Sequence, residues 1–162
     1  MKKLILSIAI ILTASIALNA QTTATASQTV TLILKNAISI NLTSAASSNF
    51  TFNTTDDYQN GQTNAAAAVL QVSSNRPWAV SVKTTTANFS GPAAPAVTMP
   101  STVLAARLNG GTTYAALSTV ATPLTSGGRG IESFSVDYKA TPGYTYDAGT
   151  YTISVVYTAT QQ

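Results

Sequence analysis

Apolar side chains recur at every second position along most of this chain, a period that fits strands and does not fit amphipathic helices. Trp78, Val80 and Val82 alternate with Ala79, Ser81 and Lys83. Phe134, Val136 and Tyr138 form a second such face, and Tyr151, Ile153, Val155 and Tyr157 a third. Nearer the start, Val30, Leu32 and Leu34 alternate with Thr31, Ile33 and Lys35, and the parity resumes at Ile38, Ile40 and Leu42. This predicts two consecutive strands or one bent strand. Phe50 and Phe52 suggest a short strand, and Ala68, Leu70 and Val72 another. Turn-forming clusters separate the runs: Asn53 to Gly61, Ser74-Asn75-Arg76-Pro77, the hairpin signal Asn109-Gly110-Gly111, and Ser126 to Gly130. Pro92, Pro95 and Pro100 mark a connection between strands. No later segment shows a convincing helical period. About eight short strands at this spacing predict an all-β fold, a single two-sheet sandwich of immunoglobulin-like or Greek-key type, with a closed barrel as the alternative.

The first twenty residues are of a different kind. Met1-Lys2-Lys3 precedes an apolar run from Leu4 to Leu18 that closes on Asn19-Ala20. A charged start, a short apolar core and a small-residue end are the parts of a cleavable secretory signal. The run is shorter than the roughly 20 apolar residues that span a bilayer. The expectation is a signal over residues 1–20 and one β-sandwich domain over 21–162, secreted to the extracellular space or cell surface, or held in the periplasm. No integral membrane segment is expected in the mature chain.

Composition narrows the chemistry. The chain has no cysteine and no histidine. Disulfides, thiolate nucleophiles and cysteine-ligated metals are therefore excluded, and the commonest general base and metal ligand are missing. Of eight Lys and Arg, two leave with the signal, and the remaining six face five acids without clustering. Nucleic acid needs clustered cations to neutralise its phosphates, so it is not an expected partner. Glu132 and Asp137 are separated by an odd number along one strand and point to opposite faces, which is wrong for a carboxylate pair sharing one cleft. Asp56 and Asp57 sit in an Asn- and Gly-containing loop with oxygen ligands of the kind calcium uses, but without the spacing of a calcium loop, and read as an Asx-type turn. No enzyme, catalytic residue, metal site or cofactor is expected.

Two features could meet a partner. Tyr144 and Tyr146, on a loop near Pro142-Gly143, could stack on the apolar face of a sugar, although a tyrosine packing over the sandwich edge is the simpler reading. Trp78-Ala79-Val80 and the C-terminal run Gly149 to Ala159 resemble the WxL surface domains, with Trp78, Val80, Tyr151, Val155 and Tyr157 at motif positions. That resemblance implies noncovalent binding to a cell wall. Val80 stands where the motif has Leu, and Tyr157 and Ala159 stand where it has Trp and Leu. The Gly-Thr-Tyr lead into a last alternating strand also resembles spore coat protein U and fimbrial-subunit sandwiches. Both resemblances imply a bacterial surface protein.

The fimbrial resemblance implies that an N-terminal segment with alternating apolar residues can add as a strand to another copy. Here the candidate donor is Val30, Leu32 and Leu34, unless those residues form the first strand of their own domain. The last strand looks supplied internally, leaving no gap to fill. The expected function is a secreted, non-enzymatic structural or adhesive protein, self-associating as a homo-oligomer. The alternative is a module that binds surface polysaccharide or cell wall.

Overall fold

The computed structural model describes residues 23–44, 47–92 and 97–162, so the signal expected over residues 1–20 lies outside the described residues. It divides into two units, residues 1–33 and 34–162. The described part of the first, residues 23–33, holds no helix or strand.

Within residues 34–162 the strands are β1 (Ile38–Leu42), β2 (Gln62–Ser74), β3 (Trp78–Thr84), β4 (Leu104–Leu108), β5 (Ala115–Ala116), β6 (Thr122–Gly127), β7 (Gly130–Ala140) and β8 (Val155–Gln161). A six-residue helix, α1 (Thr55–Asn60), precedes β2, and one 3-10 turn, Ser101–Val103, leads into β4. Every ladder is antiparallel. One sheet runs β1-β2-β7-β4-β5 and the other β6-β3-β8, the arrangement of a β-sandwich.

The alternation in the sequence becomes the inner face of each sheet. Trp78, Val80, Val82 and Thr84 of β3 are all buried, whereas the intervening side chains are not. Leu70 and Val72 of β2, Leu104 and Ala106 of β4 and Val136 and Tyr138 of β7 meet them, and Leu117 closes one side. Trp78 stacks on Phe134, ring centroids 6.2 Å apart, joining the two sheets at one end. The tyrosine hydroxyls of Tyr138 and Tyr157 hydrogen-bond between the sheets.

On the outer face of the larger sheet a buried charge is fully engaged. β2 carries a register shift between Asn64 and Ala68, with Ala66 at φ +50°. The Ala66 N–H donates to the Asp137 carboxylate at 2.8 Å, Asn109 Nδ2 donates at 2.7 Å and Arg107 Nε at 3.0 Å. Arg107 in turn lies 4.3 Å over the Tyr114 ring. The hydrogen bond from Asn109, followed by that from Ala66, holds the Asp137 carboxyl below the usual carboxylate range against the opposing effect of burial.

Several expectations change. Residues 28–34 alternate as well as any strand in the chain, yet they form no strand, and regular pairing begins only at Ile38. Phe50 and Phe52 pack half-buried against the core without joining a ladder. The Asn53 to Gly61 loop contains α1, stabilised by a capping box: Thr54 Oγ1 accepts from the Asp57 N–H, and the Asp57 carboxylate accepts from the Thr54 N–H. β8 begins at Val155 and not at Tyr151; Thr152 pairs instead with Ser90. β6, which contains Pro123, lies at a sheet edge, where proline is tolerated.

Candidate functional site

The inner face of β1 is incompletely covered. Ile38, Ile40 and Leu42 pair with Ser74, Val72 and Leu70, all buried on the inner face of β2. Antiparallel partners share a face, so the three β1 side chains also point inward. Ile38 is nevertheless 37% exposed and Leu42 45%, and Ile40 is half-buried.

The reason lies in the opposite sheet. It has three strands against five and stops at β8, which pairs with β3 along its whole length, from Trp78↔Gln161 to Thr84↔Val155. Among the described residues no strand pairs with the other edge of β8. Its inward residues Val155, Tyr157 and Ala159 are only half-buried, although their counterparts on β3 are fully covered. Ile40, Tyr157 and Ala159 pack on the same core cluster. β1 and β8 therefore border the open side of the sandwich, called the furrow below, with the half-covered Ile38, Ile40 and Leu42 on one strand and the unpaired backbone edge of β8 on the other. The last strand is present, as expected from sequence, and among the described residues its far edge is unpaired.

Outside that unit, the described part of residues 23–33 and the adjoining Leu34 supply an apolar run that is itself uncovered. Val30, Leu32 and Leu34 are 75%, 81% and 87% exposed. Seven residues, 28–34, match the seven of β8.

The end of the furrow near Gln161 is polar. Asn75 and Ala37 exchange hydrogen bonds, Asn75 N–H to the Ala37 carbonyl at 3.2 Å and Ala37 N–H to Asn75 Oδ1 at 3.0 Å. Asn75 Nδ2 donates to the Lys35 carbonyl at 2.7 Å. Gln161 Nε2 donates to the Ala37 carbonyl at 2.8 Å and lies within 3.1 Å of Asn75 Oδ1 and Ser74 Oγ. Residues 35–37 are thus tied to the β2–β3 connection and to the end of β8.

The tyrosines fall in a separate place. Tyr144 is 66% exposed and stacks on Tyr58 of α1, ring centroids 5.6 Å apart; Tyr58 in turn packs on Phe52. The Tyr144 hydroxyl donates to the Thr55 carbonyl at 2.7 Å, fixing the ring. Tyr146 is half-buried and takes no part in this stack. Of the motif-like positions, Trp78 and Val80 are core residues and present nothing to a ligand. Val155 and Tyr157 line the furrow, and Tyr151 donates its hydroxyl to the Asp147 carbonyl.

Asp56, Asp57, Glu132 and Asp137 all accept hydrogen bonds within the fold. Asp57 accepts from Gln62 Nε2 and from the N–H groups of Thr54 and Asn53, which lower its carboxyl to about 2. Asp56 accepts from Asn60. Glu132 accepts from the Gly128 N–H on the opposite side of β7 from Asp137. No group of three or more His, Cys, Asp or Glu gathers to hold a metal among the described residues. No helix among them is long and apolar enough to cross a membrane.

Tyr58 as the partner of Tyr144 is invisible in sequence, because 86 positions separate them. Ile38 and Leu42 carry the right parity in sequence, but parity cannot show that the facing sheet ends one strand short. The chain matches no family model and no curated relative.

Proposed function

We propose that this chain is a secreted, non-enzymatic structural protein with an immunoglobulin-like sandwich, which associates with copies of itself through strand addition at the furrow between β1 and β8. The observation that carries the reading is the exposure of inward-facing Ile38 and Leu42 beside the unpaired edge of β8. An added strand would satisfy the edge N–H and C=O groups and cover those side chains. A donor with the alternation of Val30, Leu32 and Leu34 suits that role, each apolar side chain gaining about 1.5–3 kcal/mol on full burial. Export is read from residues 1–20, and the neutral, Thr- and Ser-rich surface suits packing against like copies.

Sedimentation of the secreted protein over a concentration series, with electron microscopy of the cell surface, tests the proposal. Assemblies that grow with concentration are expected. A strict monomer at high concentration, with none on cells, overturns it.

A second reading is favoured by the fixed, exposed ring of Tyr144. It would give a polysaccharide a stacking surface, as a wall- or glycan-binding module requires. Retention on insoluble glycans that is lost on Tyr144→Ala supports this reading; no retention, or retention indifferent to the change, excludes it.

A further inference from the structure

We propose that Asn109 is a site of spontaneous deamidation, and that its conversion to aspartate or isoaspartate releases the Asp137 cluster on the outer face of the larger sheet. The reaction is independent of strand addition.

The chain holds two Asn-Gly pairs, Asn60-Gly61 and Asn109-Gly110. Glycine has no β-carbon to shield its main-chain nitrogen, so that nitrogen can reach the Cγ of the asparagine before it. A bond forms between the glycine nitrogen and Cγ, the Cγ–Nδ2 bond breaks, and ammonia leaves with the proton of the glycine N–H. Water then opens the cyclic imide. Attack at Cγ gives aspartate; attack at the main-chain carbonyl gives isoaspartate, in which the chain runs through the former side chain. Water is the only co-reactant.

The fold treats the two pairs differently. Both side-chain amides are held by a carboxylate, Asn60 Nδ2 on Asp56 at 2.6 Å and Asn109 Nδ2 on Asp137 at 2.7 Å. The attacking nitrogens are not alike. The Gly61 N–H ends α1 by donating to the Asp57 carbonyl at 2.8 Å, and Thr141 and the Ala140 carbonyl crowd that glycine. Gly110 sits in an exposed turn closed by the Gly111 N–H on the Leu108 carbonyl at 2.9 Å. Its φ of +79° is what the second central position of a type II turn requires. Among the described residues its N–H has no acceptor, and apart from its chain neighbours no atom lies within 4 Å of where a side chain on it would begin. Asn109-Gly110 therefore has the free nucleophile and the room that ring closure needs.

The product cannot do what Asn109 does. The amide is one of three donors on Asp137, beside the Ala66 N–H and Arg107, and has the largest part in keeping that carboxyl charged. Aspartate donates nothing in its place and sets a second negative charge against Asp137. Isoaspartate adds a main-chain bond inside the turn that Gly111 closes. Either way the turn after β4 loses its link to β7 and to the register shift of β2.

The secreted protein is aged for several weeks in mildly alkaline buffer, digested and mapped by mass spectrometry. The Asn109 peptide is expected to gain the mass of an amide becoming an acid about tenfold faster than the Asn60 peptide, a ratio within the protection that hydrogen bonding gives the Gly61 nitrogen. Its product should separate into two forms of equal mass, aspartyl and isoaspartyl. Asn109→Gln should keep its mass, because its side chain would have to close a larger ring. In the aged fraction, isolated by anion exchange, the Ala66 amide should exchange hydrogen about fivefold faster than in the parent. Asn109→Asp should reproduce that change and lower the urea midpoint.

Conversion at Asn60 as fast as at Asn109, or none at Asn109, overturns the site. Parent-like exchange at Ala66 in both the aged fraction and Asn109→Asp overturns the effect on Asp137. Should Asn109→Asp fail to fold, the aged fraction of the parent decides that point by itself.

Discussion

At the scale of single residues, Asp137 is the side chain on which most depends locally. It is nearly inaccessible, and its oxygens are met by a backbone N–H, an amide and a guanidinium from three different strands or turns. Removing it takes the shared acceptor from the partly exposed Arg107 guanidinium, the Asn109 amide and the Ala66 N–H, a loss of about 1–3 kcal/mol. Asp137→Ala is therefore expected to lower the urea midpoint well beyond the effect of an ordinary surface change, and Arg107→Ala to cost less because the other two donors remain. Asp57, which is only partly covered, contributes to acid behaviour. Its folded value, about 2, lies below the ordinary 3.8, so its contribution is complete above the ordinary value and is lost as pH falls toward 2. Unfolding midpoints measured from about pH 5 down to 2 should fall less steeply in Asp57→Asn than in the parent.

At the scale of elements, the two sheets meet through paired tyrosines. Burial pushes the Tyr138 hydroxyl above the ordinary 10, and burial with the neighbouring Tyr138 pushes Tyr157 up further. A raised folded value means that stability is complete below the ordinary tyrosine range and is lost as pH climbs through and beyond 10. Tyr157→Phe should lower stability at neutral pH by about 1 kcal/mol through the lost hydrogen bond, and flatten the alkaline decline seen by thermal unfolding between about pH 9 and 11. Elements differed in how far they could be foreseen, for physical reasons. β3 was legible because every inward side chain from Trp78 to Thr84 is buried, so sequence alternation and burial coincide. β6 was not, because Thr122-Pro123-Leu124-Thr125-Ser126-Gly127 has one large apolar residue and its pairing is imposed by β3. α1 has too few residues for an apolar stripe and is announced only by Thr54 and Asp57 three positions apart. The alternation at 28–34 marked a segment fit to be a strand and said nothing about which strand it would find. For the same reason the furrow was hidden: it depends on a count of strands in the facing sheet, a property that no local pattern carries.

At the scale of the whole molecule, the proposed association and the fold's own stability are separable. Leu32→Asp places a charge where strand addition would bury an apolar side chain, and Leu32 is exposed in the free chain. The substitution is expected to abolish assembly by sedimentation while leaving the melting temperature of the dilute protein within a degree or so, because an exposed site contributes little to folding. Leu42→Asp should also block assembly from the acceptor side, and mixing the two variants should restore no long assemblies, since each chain then lacks one half of the contact.

The ladder between β3 and β8 is continuous over all seven residues, with no register break, whereas the β3–β6 ladder on the other side of β3 is interrupted between Val80 and Ser81. A chain of molecules joined at the outer edge of β8 and pulled lengthwise would load the strand in shear, so that its hydrogen bonds on both sides would have to slip together rather than open one after another. The strand that holds the furrow's wall is thereby the part of this sandwich suited to carry tension.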